Sequence, residues 1–483
     1  MDNIPIIAVG GQVSTNIIGN DAFQETDMMG ITTPITKHNF QILKSNDIAP
    51  TLMKSFKIAL QGRPGPVYID LPKDTQVNLV TKPVPEKIEI KSFKPTIKGN
   101  PIQIKKAAKM IVDAEKPLII AGGGITYSDA SEELMKIVDM TNIPVATTMQ
   151  GKGVIEEMHP LALGMVGMHG RKIANFATIE SDLIIAIGCR FSDRITGNLD
   201  TYAEKAKIIH IDIDPAEIGK NVAIDLPIVG DAKSVLTDLV IAIRQEMKTE
   251  KRDESKWSKL MKKLRIECDC NQDRNDSPID PIKVMYEINK IIDDKTIITT
   301  GVGQHQMFAM HFLKMKRPRQ FISSGGAGTM GFGFPAAIGA KVAMPDHTVI
   351  DIDGDGSFQM TMQELGTCKE HGIKVIPIIL RNNYLGMVRQ WLELFFDRRY
   401  SQVELSGAEP DFVKIAQAYG LDGIKVTKSE DIAAALKKAL KSKETFIVEI
   451  DVKEESNILP MLAPGGNLKD AFGGCMKAPG KFF

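Results

Sequence analysis

The amino-acid sequence predicts an α/β fold built from doubly wound parallel sheets. Short apolar runs that suit β-strands recur along the chain, for example at 117–121, 182–188 and 348–352. Many of these runs are apolar throughout, which is typical of strands that are buried on both faces of a sheet. Segments that can form helices, such as 103–114 and 432–441, lie between them. Strands that alternate with helices in this way indicate parallel sheets.

The first part of the chain predicts an incomplete domain. It starts with an apolar run at 4–10, which we interpret as a buried strand, and a further strand is predicted at 66–71. Residues 80–100 contain three prolines and no clear period, so they are interpreted as a linker. The preceding part, 1–84, has too few strand–helix units for a whole doubly wound domain.

Two further parts and a tail follow. Strands at 182–188 and 207–212 belong to a predicted second part, 97–247. A charge-dense linker that can begin as a polar helix separates it from the third part, 280–460. The tail, 461–483, is rich in glycine and proline, and we expect it to cap or wrap the fold without forming a layer of its own.

Composition narrows the function classes. The 483 residues include 60 basic and 60 acidic side chains, so no net positive field exists that would favour a nucleic-acid partner. No apolar run approaches the ~20 residues that span a bilayer. We therefore expect a cytoplasmic protein without a nucleic-acid or membrane partner. The few scattered cysteines do not suit a disulfide framework. Cys268 and Cys270 lack partners at zinc spacing, and Cys189 is interpreted as a packing residue.

Polar residues follow two neighbouring strands of the predicted third part. A Gly-Asp-Gly sequence with Asp355 ends the strand at 348–352, and Asn382 and Asn383 follow the next strand, at 375–380. Parallel sheets bind ligands at the carboxyl ends of their strands, so these oxygens are expected to converge. Mg²⁺ prefers such oxygen ligands and often shares them with ligand phosphates, while glycines allow a diphosphate to approach the backbone. The alternative is a plain turn and a plain loop.

The second part contains a similar pattern for a cofactor with a pyrophosphate. A triple glycine, 122–124, follows the strand at 117–121 and permits close approach of a ligand. A plain tight turn is the alternative interpretation. Acids after later strands, including Asp212 and Asp231, can accept hydrogen bonds from ribose hydroxyls.

The pattern around Asp355 resembles the signature of thiamine diphosphate (ThDP) enzymes. Further motifs, spread over nearly the whole chain, resemble the large catalytic subunits of the acetolactate synthase family. They lie at 21–26, 36–39, 62–67, 70–74, 167–170, 188–194, 303–307 and 386–391.

The resemblance implies a three-domain ThDP-enzyme architecture. Residues 1–84 would be the C-terminal part of a pyrimidine-binding domain, 97–247 a central FAD-binding domain and 280–460 the ThDP- and Mg²⁺-binding domain. Implied cofactors are ThDP, Mg²⁺ and FAD, with FAD structural because the net reaction is not redox. The implied metal ligands are Asp355, Asn382 and the main-chain carbonyl of Tyr384.

The choice between Asn382 and Asn383 stays open, and Arg381 stands where the family often has asparagine. The resemblance also implies two sets of cofactor contacts. The ThDP set comprises Gln304, His305, Gly328, Met330, Gly356, Ser357 and Met387. The FAD set comprises Arg63, Gly122, Gly123, Thr148, Met168, His169, Gly188, Arg190, Asp212 and Asp231.

The implied reaction serves valine, leucine and isoleucine biosynthesis. Pyruvate is decarboxylated on ThDP and its two-carbon unit is joined to pyruvate or 2-ketobutyrate. Arg194 would hold the acceptor carboxylate, although a surface or FAD-side ion pair is the alternative. Trp391 would favour 2-ketobutyrate as a ratio, since one methylene is worth only ~1–3 kcal/mol. Further implied pocket residues are Phe23, Gln24, Lys73 and Met168.

One expected catalytic group does not match any residue. In the family a glutamate that activates ThDP precedes the stretch that resembles residues 1–5, and Glu25 belongs to a different motif. We therefore expect the sequence to be an N-terminally truncated part of a longer subunit and to be inactive alone. A genuinely shortened protein, inactive or completed by another chain, is the alternative.

The resemblance further implies partners. It implies a homodimer or tetramer whose active site lies between subunits, and a small regulatory subunit. Competing interpretations are another FAD-containing ThDP carboligase, such as a glyoxylate carboligase, a flavin-dependent pyruvate oxidase, or a non-catalytic protein that binds ThDP and FAD.

Overall fold

The computed structural model describes residues 1–268, 276–407 and 410–473, which form three parallel sheets. The first sheet has the strand order β1-β3-β2. Three helices accompany it within the first 80 residues. The elements are β1 (Ile7–Gln12), α1 (Met28–Thr32), β2 (His38–Gln41), α2 (Ile48–Leu60), β3 (Val67–Pro72) and α3 (Lys73–Val77).

β1 differs from the buried strand that the sequence predicts at 4–10. The strand begins only at Ile7, and three of its six residues are exposed while the other three are partly buried, with 54% of Val9 accessible. It pairs with β3 on one side, and none of the described residues pairs with its other side. The prediction of a buried strand is therefore wrong for this element, because an edge strand leaves half of its surface uncovered.

The second sheet has six strands in the order β6-β5-β4-β7-β8-β9. The order reverses between β4 and β7, which makes the ends of these two strands the topological switch point where ligands bind in such folds. Its elements are α4 (Pro101–Asp113), β4 (Pro117–Ala121), α5 (Gly123–Tyr127), α6 (Ser131–Thr141), β5 (Val145–Thr147), β6 (Ala162–Met165), α7 (Lys172–Glu180), β7 (Leu183–Ile187), α8 (Asp193–Thr196), β8 (Lys207–Asp212), β9 (Leu226–Val229) and α9 (Ala232–Met247).

A third helix-covered sheet has the order β11-β10-β12-β13-β15-β14 and reverses between β10 and β12. A helix before it, α10 (Lys256–Glu267), packs on the second sheet through the indole N–H of Trp257, which donates to the carbonyl of Pro117 at 3.0 Å. The elements of the third sheet are α11 (Pro281–Asn289), β10 (Thr296–Thr300), α12 (Gln304–Phe312), β11 (Phe321–Ser323), α13 (Gly333–Ala343), β12 (Thr348–Gly354), α14 (Asp355–Phe358), α15 (Leu365–His371), β13 (Ile376–Arg381), α16 (Gly386–Phe395), α17 (Phe412–Ala418), β14 (Asp422–Val426), α18 (Ile432–Lys441) and β15 (Phe446–Asp451).

The central strands are buried on both faces, as their apolar runs predict. Every residue of β4, β7 and β10 is buried. The α/β class and the parallel sheets are thus confirmed. The tail crosses back onto the second sheet, where Leu462 donates its backbone N–H to the carbonyl of Met168 at 2.9 Å. None of the described helices combines the length and apolar character needed to cross a membrane.

Candidate active site

Two openings lie at the carboxyl ends of the strands. The strand-end cleft is bordered by residues that follow β10, β12 and β13, among them Gly303, Asp355 and Asn382. The large cavity, of about 1390 Å³, is lined from all three sheet-bearing parts of the chain. It exceeds the ~300–1,000 Å³ of ordinary small-molecule pockets, so it has room for an extended ligand. Met330 and Met387 line both openings, which therefore adjoin each other.

The strand-end cleft brings Asp355 and Asn382 together, as the strand order requires. Asp355 begins α14 directly after β12, and β13 ends one residue before Asn382. One carboxylate oxygen of Asp355 accepts the backbone N–H groups of Asn382 at 3.0 Å and Asn383 at 2.7 Å. The other oxygen accepts the N–H of Gly356 at 2.9 Å. The acid is thus fixed at the switch point by three main-chain donors.

The two asparagines point to different places. Asn382 and Tyr384 line the strand-end cleft, and the side-chain oxygen of Asn382 accepts the Tyr384 N–H at 3.3 Å. Asn383 has a left-handed φ of 60° and directs its amide to Glu454, at 2.7 Å. Asn382 is therefore the asparagine whose side chain shares the cleft with Asp355.

Most residues of the predicted ThDP set surround this cleft: Gln304, His305, Met330, Gly356, Ser357 and Met387 line it, and Gly328 lines the adjoining large cavity. Ser357 accepts the N–H groups of Val302 at 3.3 Å and Gly331 at 3.0 Å, which ties together the loops after β10 and β12. A Cβ on Gly356 would lie 2.7 Å from the Leu385 side chain.

Beneath the cleft lies a buried polar cluster that sequence reasoning missed. Asp351 and Asp353 have no exposed surface, and burial raises the pKa of both carboxyls well above the usual range. Burial also lowers the pKa of His305 to about 3, and its ring lies 3.4 Å from Asp353. The alternation of acids along β12 is the sequence signal that could have indicated it.

The glycines at the switch point of the second sheet, after β4 and β7, pack against one another. The N–H of Gly124 donates to the carbonyl of Gly188 at 3.2 Å. A Cβ on Gly188 would lie 2.4 Å from the Gly124 Cα, and one on Gly122 would lie 2.0 Å from the Gly188 oxygen. Gly123 and Gly188 line the large cavity, whereas Gly122 lies behind them. The role of Gly122 is thus close packing of two strand ends.

The rest of the predicted FAD set also lines the large cavity: Arg63, Thr148, Met168, His169, Arg190, Asp212 and Asp231. Arg63 pairs with Asp214 at 3.0 Å and Glu217 at 2.7 Å, which connects the first part of the chain to the second sheet.

Burial shifts the pKa of two of these residues toward the neutral form. Burial raises the pKa of Asp212 to about 6, against the lowering effects of the Asp214 N–H and of Arg63. Burial, followed by the nearby Arg194, lowers the pKa of His169 to about 4. The cavity wall thus contains a neutral imidazole and an acid that is easily protonated.

Arg194 and Trp391 lie close together in the lining of the large cavity. The guanidinium carbon lies 6.0 Å from the centre of the Trp391 ring, and one of its nitrogens lies 3.2 Å from the Met168 sulfur. The side chain of Arg194 is 62% exposed, with Asp193 at 3.8 Å. This weak, solvated pairing leaves the guanidinium accessible from the cavity.

Three predicted pocket residues are not brought to this point. Phe23 is 88% exposed, Gln24 and Lys73 are also exposed, and none of them lines either opening. Within one chain the structure therefore does not join them to Trp391. Glu25 accepts backbone N–H groups of its own loop, including that of Ala22 at 2.9 Å.

Among the described residues, neither the cysteines nor groups of possible metal ligands form a second site. Cys189 and Cys268 are buried, and Cys270 lies outside the described residues. In the part of the chain that the structure describes, no group of three or more His, Cys, Asp or Glu residues could hold a metal ion. A site at Asp355 would depend instead on one carboxylate with amide and carbonyl oxygens.

Comparison with known proteins places this geometry in a family. Residues 301–450 match the C-terminal thiamine pyrophosphate (ThDP) binding domain of thiamine pyrophosphate enzymes, and residues 104–239 match their central domain. A probable acetolactate synthase large subunit of Methanocaldococcus jannaschii is 52% identical over 476 residues, which cover 97% of this chain and 80% of the relative.

Two further relatives agree. A probable acetolactate synthase large subunit of Methanococcus aeolicus is 49% identical, covering 99% of this chain and 82% of the relative. The acetolactate synthase large subunit of Haemophilus influenzae is 43% identical, covering 97% and 82% respectively. The family predicted from the motifs is confirmed. The chain belongs to the acetolactate synthase large-subunit family of ThDP-dependent enzymes.

Proposed function

We propose that this chain is the catalytic subunit of an acetolactate synthase that joins a two-carbon unit from pyruvate to pyruvate or 2-ketobutyrate. The carrying observation is that two adjoining openings hold two distinct pairs, Asp355–Asn382 in the strand-end cleft and Arg194–Trp391 in the large cavity. The first pair suits a metal-bound diphosphate, and the second suits a small acid with a carboxylate and an alkyl group. A small regulatory subunit and a role in branched-chain amino acid biosynthesis belong to this proposal.

The strand-end cleft has the right chemistry for Mg²⁺ and ThDP. Asp355 offers a carboxylate that is fixed by three N–H donors, and Asn382 offers an amide oxygen beside it. These hard oxygen ligands suit Mg²⁺, with the carbonyl of Tyr384 as the third protein ligand that we propose. ThDP, when bound, supplies the electron sink for decarboxylation of a 2-keto acid. Gln304, Gly356 and Ser357 would border its diphosphate.

The large cavity suits FAD. Its volume accommodates an extended dinucleotide, and the close approach of Gly124 and Gly188 exposes backbone at the switch point, where pyrophosphates bind. Arg190 and Arg63 supply positive charge, and Asp212 and Asp231 are acceptors for hydroxyl groups. We propose a structural role for this cofactor.

The chain's own residues would orient the acceptor. The guanidinium of Arg194 suits planar, bidentate recognition of a carboxylate. The ring of Trp391 stacks edge-on against Phe395, with ring centres 5.6 Å apart, and would contact the acceptor's alkyl group. The exposed positions of Phe23, Gln24 and Lys73 support our proposal that they complete the pocket of another subunit in a homodimer or tetramer. A cytoplasmic location stays a prediction.

Binding of keto acids tests this proposal. A Trp257→Phe variant leaves Trp391 as the sole tryptophan, since the chain has two. Without ThDP, so that no chemistry occurs, 2-ketobutyrate and pyruvate should both change its fluorescence saturably, and 2-ketobutyrate should bind ~10–200-fold more tightly. Arg194→Met should weaken both acids by at least ~10-fold, because hydrogen bonds to a charged group are worth ~1.5–3 kcal/mol.

Arg398→Met is the matched control, because this exposed arginine pairs with Glu393 outside both openings. Unchanged affinity in Arg194→Met would contradict the proposed carboxylate site. Equal binding of the two acids would favour the competing carboligase or pyruvate oxidase interpretations.

A further inference from the structure

We propose that Arg381 is a positioning residue for the Mg²⁺-binding turn 382–384, an inference that rests on the proposed function above. Arg381 is the last residue of β13 and directly precedes Asn382. It stands where the motif of the resembled family often has asparagine. The structure shows what the guanidinium contacts on each side.

On one side, Arg381 is anchored in the sheet. Its Nη1 lies 3.0 Å from a carboxylate oxygen of Glu449, which is fully buried on the neighbouring strand β15. The other oxygen of Glu449 accepts the N–H of Phe412 at 3.2 Å. Lys425, on the next strand, lies 3.1 Å from the oxygen that Arg381 contacts. The buried carboxylate therefore has two cations and a main-chain donor.

On the other side, the same guanidinium holds the turn. The Nε of Arg381 donates to the side-chain oxygen of Asn383 at 3.2 Å, while the Asn383 amide nitrogen donates to Glu454 at 2.7 Å. Arginine can only donate and a carboxylate only accept, so these two partners fix the orientation of the asparagine amide. The Asn383 side chain is clamped between β13 and the segment after β15.

This clamp acts on the backbone that faces Asp355. Asn383 adopts a left-handed φ of 60°, which asparagine tolerates better than most residues but still does not favour. In that conformation its N–H and that of Asn382 converge on one oxygen of Asp355. A chain of contacts thus runs from Glu449 through Arg381 and Asn383 to the proposed metal ligand. Loss of the Arg381 contact would loosen the relative orientation of Asp355 and Asn382.

The test compares Mg²⁺ affinity with thermal stability. In a fixed excess of ThDP, Mg²⁺ would be titrated by calorimetry into the wild type, Arg381→Met, Arg381→Lys and Lys425→Met, with melting followed in parallel. Residues that orient metal ligands typically change metal affinity by ~10–100-fold, and we expect a loss in this range for Arg381→Met. Arg381→Lys keeps a cation for Glu449 but lacks the Nε–H, so it should retain stability and still lose Mg²⁺ affinity.

Lys425→Met is the matched control. This substitution removes the other cation of Glu449, and within the described residues Lys425 makes no hydrogen bond or ion pair with the turn. Mg²⁺ affinity should therefore stay within ~3-fold of the wild type, whether or not the melting temperature changes. Equal losses of Mg²⁺ affinity in Lys425→Met and Arg381→Met, or wild-type affinity in Arg381→Met, would overturn the inference. Absence of Mg²⁺-dependent ThDP binding in the wild type would overturn the proposed function, and this inference with it.

Discussion

Replacing Asp212 with asparagine should stabilise the second sheet at neutral pH. Burial raises the pKa of Asp212 to about 6 from its usual 3.8. A raised folded-state pKa means that the ionised carboxylate disfavours folding. This cost is complete above about pH 6, decreases as the pH falls, and disappears below about pH 4, where the acid is protonated in both states.

The structure sets the magnitude. Each pKa unit corresponds to about 1.4 kcal/mol, so the difference between 3.8 and about 6 corresponds to at most about 3 kcal/mol. Asparagine keeps an oxygen that can accept the Asp214 N–H, which lies 2.9 Å from Asp212. Asp212→Asn should therefore gain about 1–3 kcal/mol at pH 8 and have nearly wild-type stability at pH 4.

Urea unfolding at pH 4, 6 and 8 would measure this difference. In a Trp391→Phe background, Trp257 is the only tryptophan. It reports on the second sheet because its indole N–H donates to Pro117, the first residue of β4. Asp214→Asn is the control, because that carboxylate pairs with Arg63 and its loss should not stabilise the protein. A constant free-energy difference between the wild type and Asp212→Asn at all three pH values would refute the reasoning.

Two further substitutions test packing. Lys152→Met should lower the free energy of unfolding in urea by about 3–5 kcal/mol, because buried Lys152 lies 2.7 Å from Glu157 and its loss leaves that carboxylate without its cation, with the Met315 N–H as a remaining donor. A change below about 1 kcal/mol would contradict this. Gly188→Ala should lower the free energy of unfolding by at least about 2 kcal/mol, because the added Cβ would meet Gly124. Gly372 has a similar φ but open space around it, so Gly372→Ala should lower the free energy of unfolding by only about 1 kcal/mol. Equal losses in the two variants would refute the packing argument.

The sequence predicts the strand-end cleft well because the cleft is formed by residues that directly follow adjacent strands. Asp355 and Asn382 follow two strands that lie side by side, and adjacent parallel strands bring their carboxyl ends to one edge of a sheet. The spacing of the two motifs was therefore enough to place both side chains together. The glycines 122–124 and 188 were found for the same reason, although Gly122 serves packing.

Other features depend on contacts that no local pattern encodes. The exposure of β1 depends on what pairs with its outer edge, and an apolar run alone does not give this. In the assembly that we propose, the positions of Phe23 and Lys73 relative to Trp391 depend on a second subunit. The Arg381–Glu449 pair joins residues 68 positions apart, and its importance follows only from the complete burial of Glu449.

Mg²⁺-dependent ThDP binding tests the central claim most directly. Calorimetric titration of ThDP into the purified chain, with Mg²⁺ and then with excess chelator, would be compared between the wild type and Asp355→Asn. We expect saturable binding to the wild type that requires Mg²⁺, and a loss of at least ~10-fold in Asp355→Asn, because the carboxylate charge is removed from the metal. Equal ThDP affinity in the two proteins, or binding that is indifferent to Mg²⁺, would contradict the account.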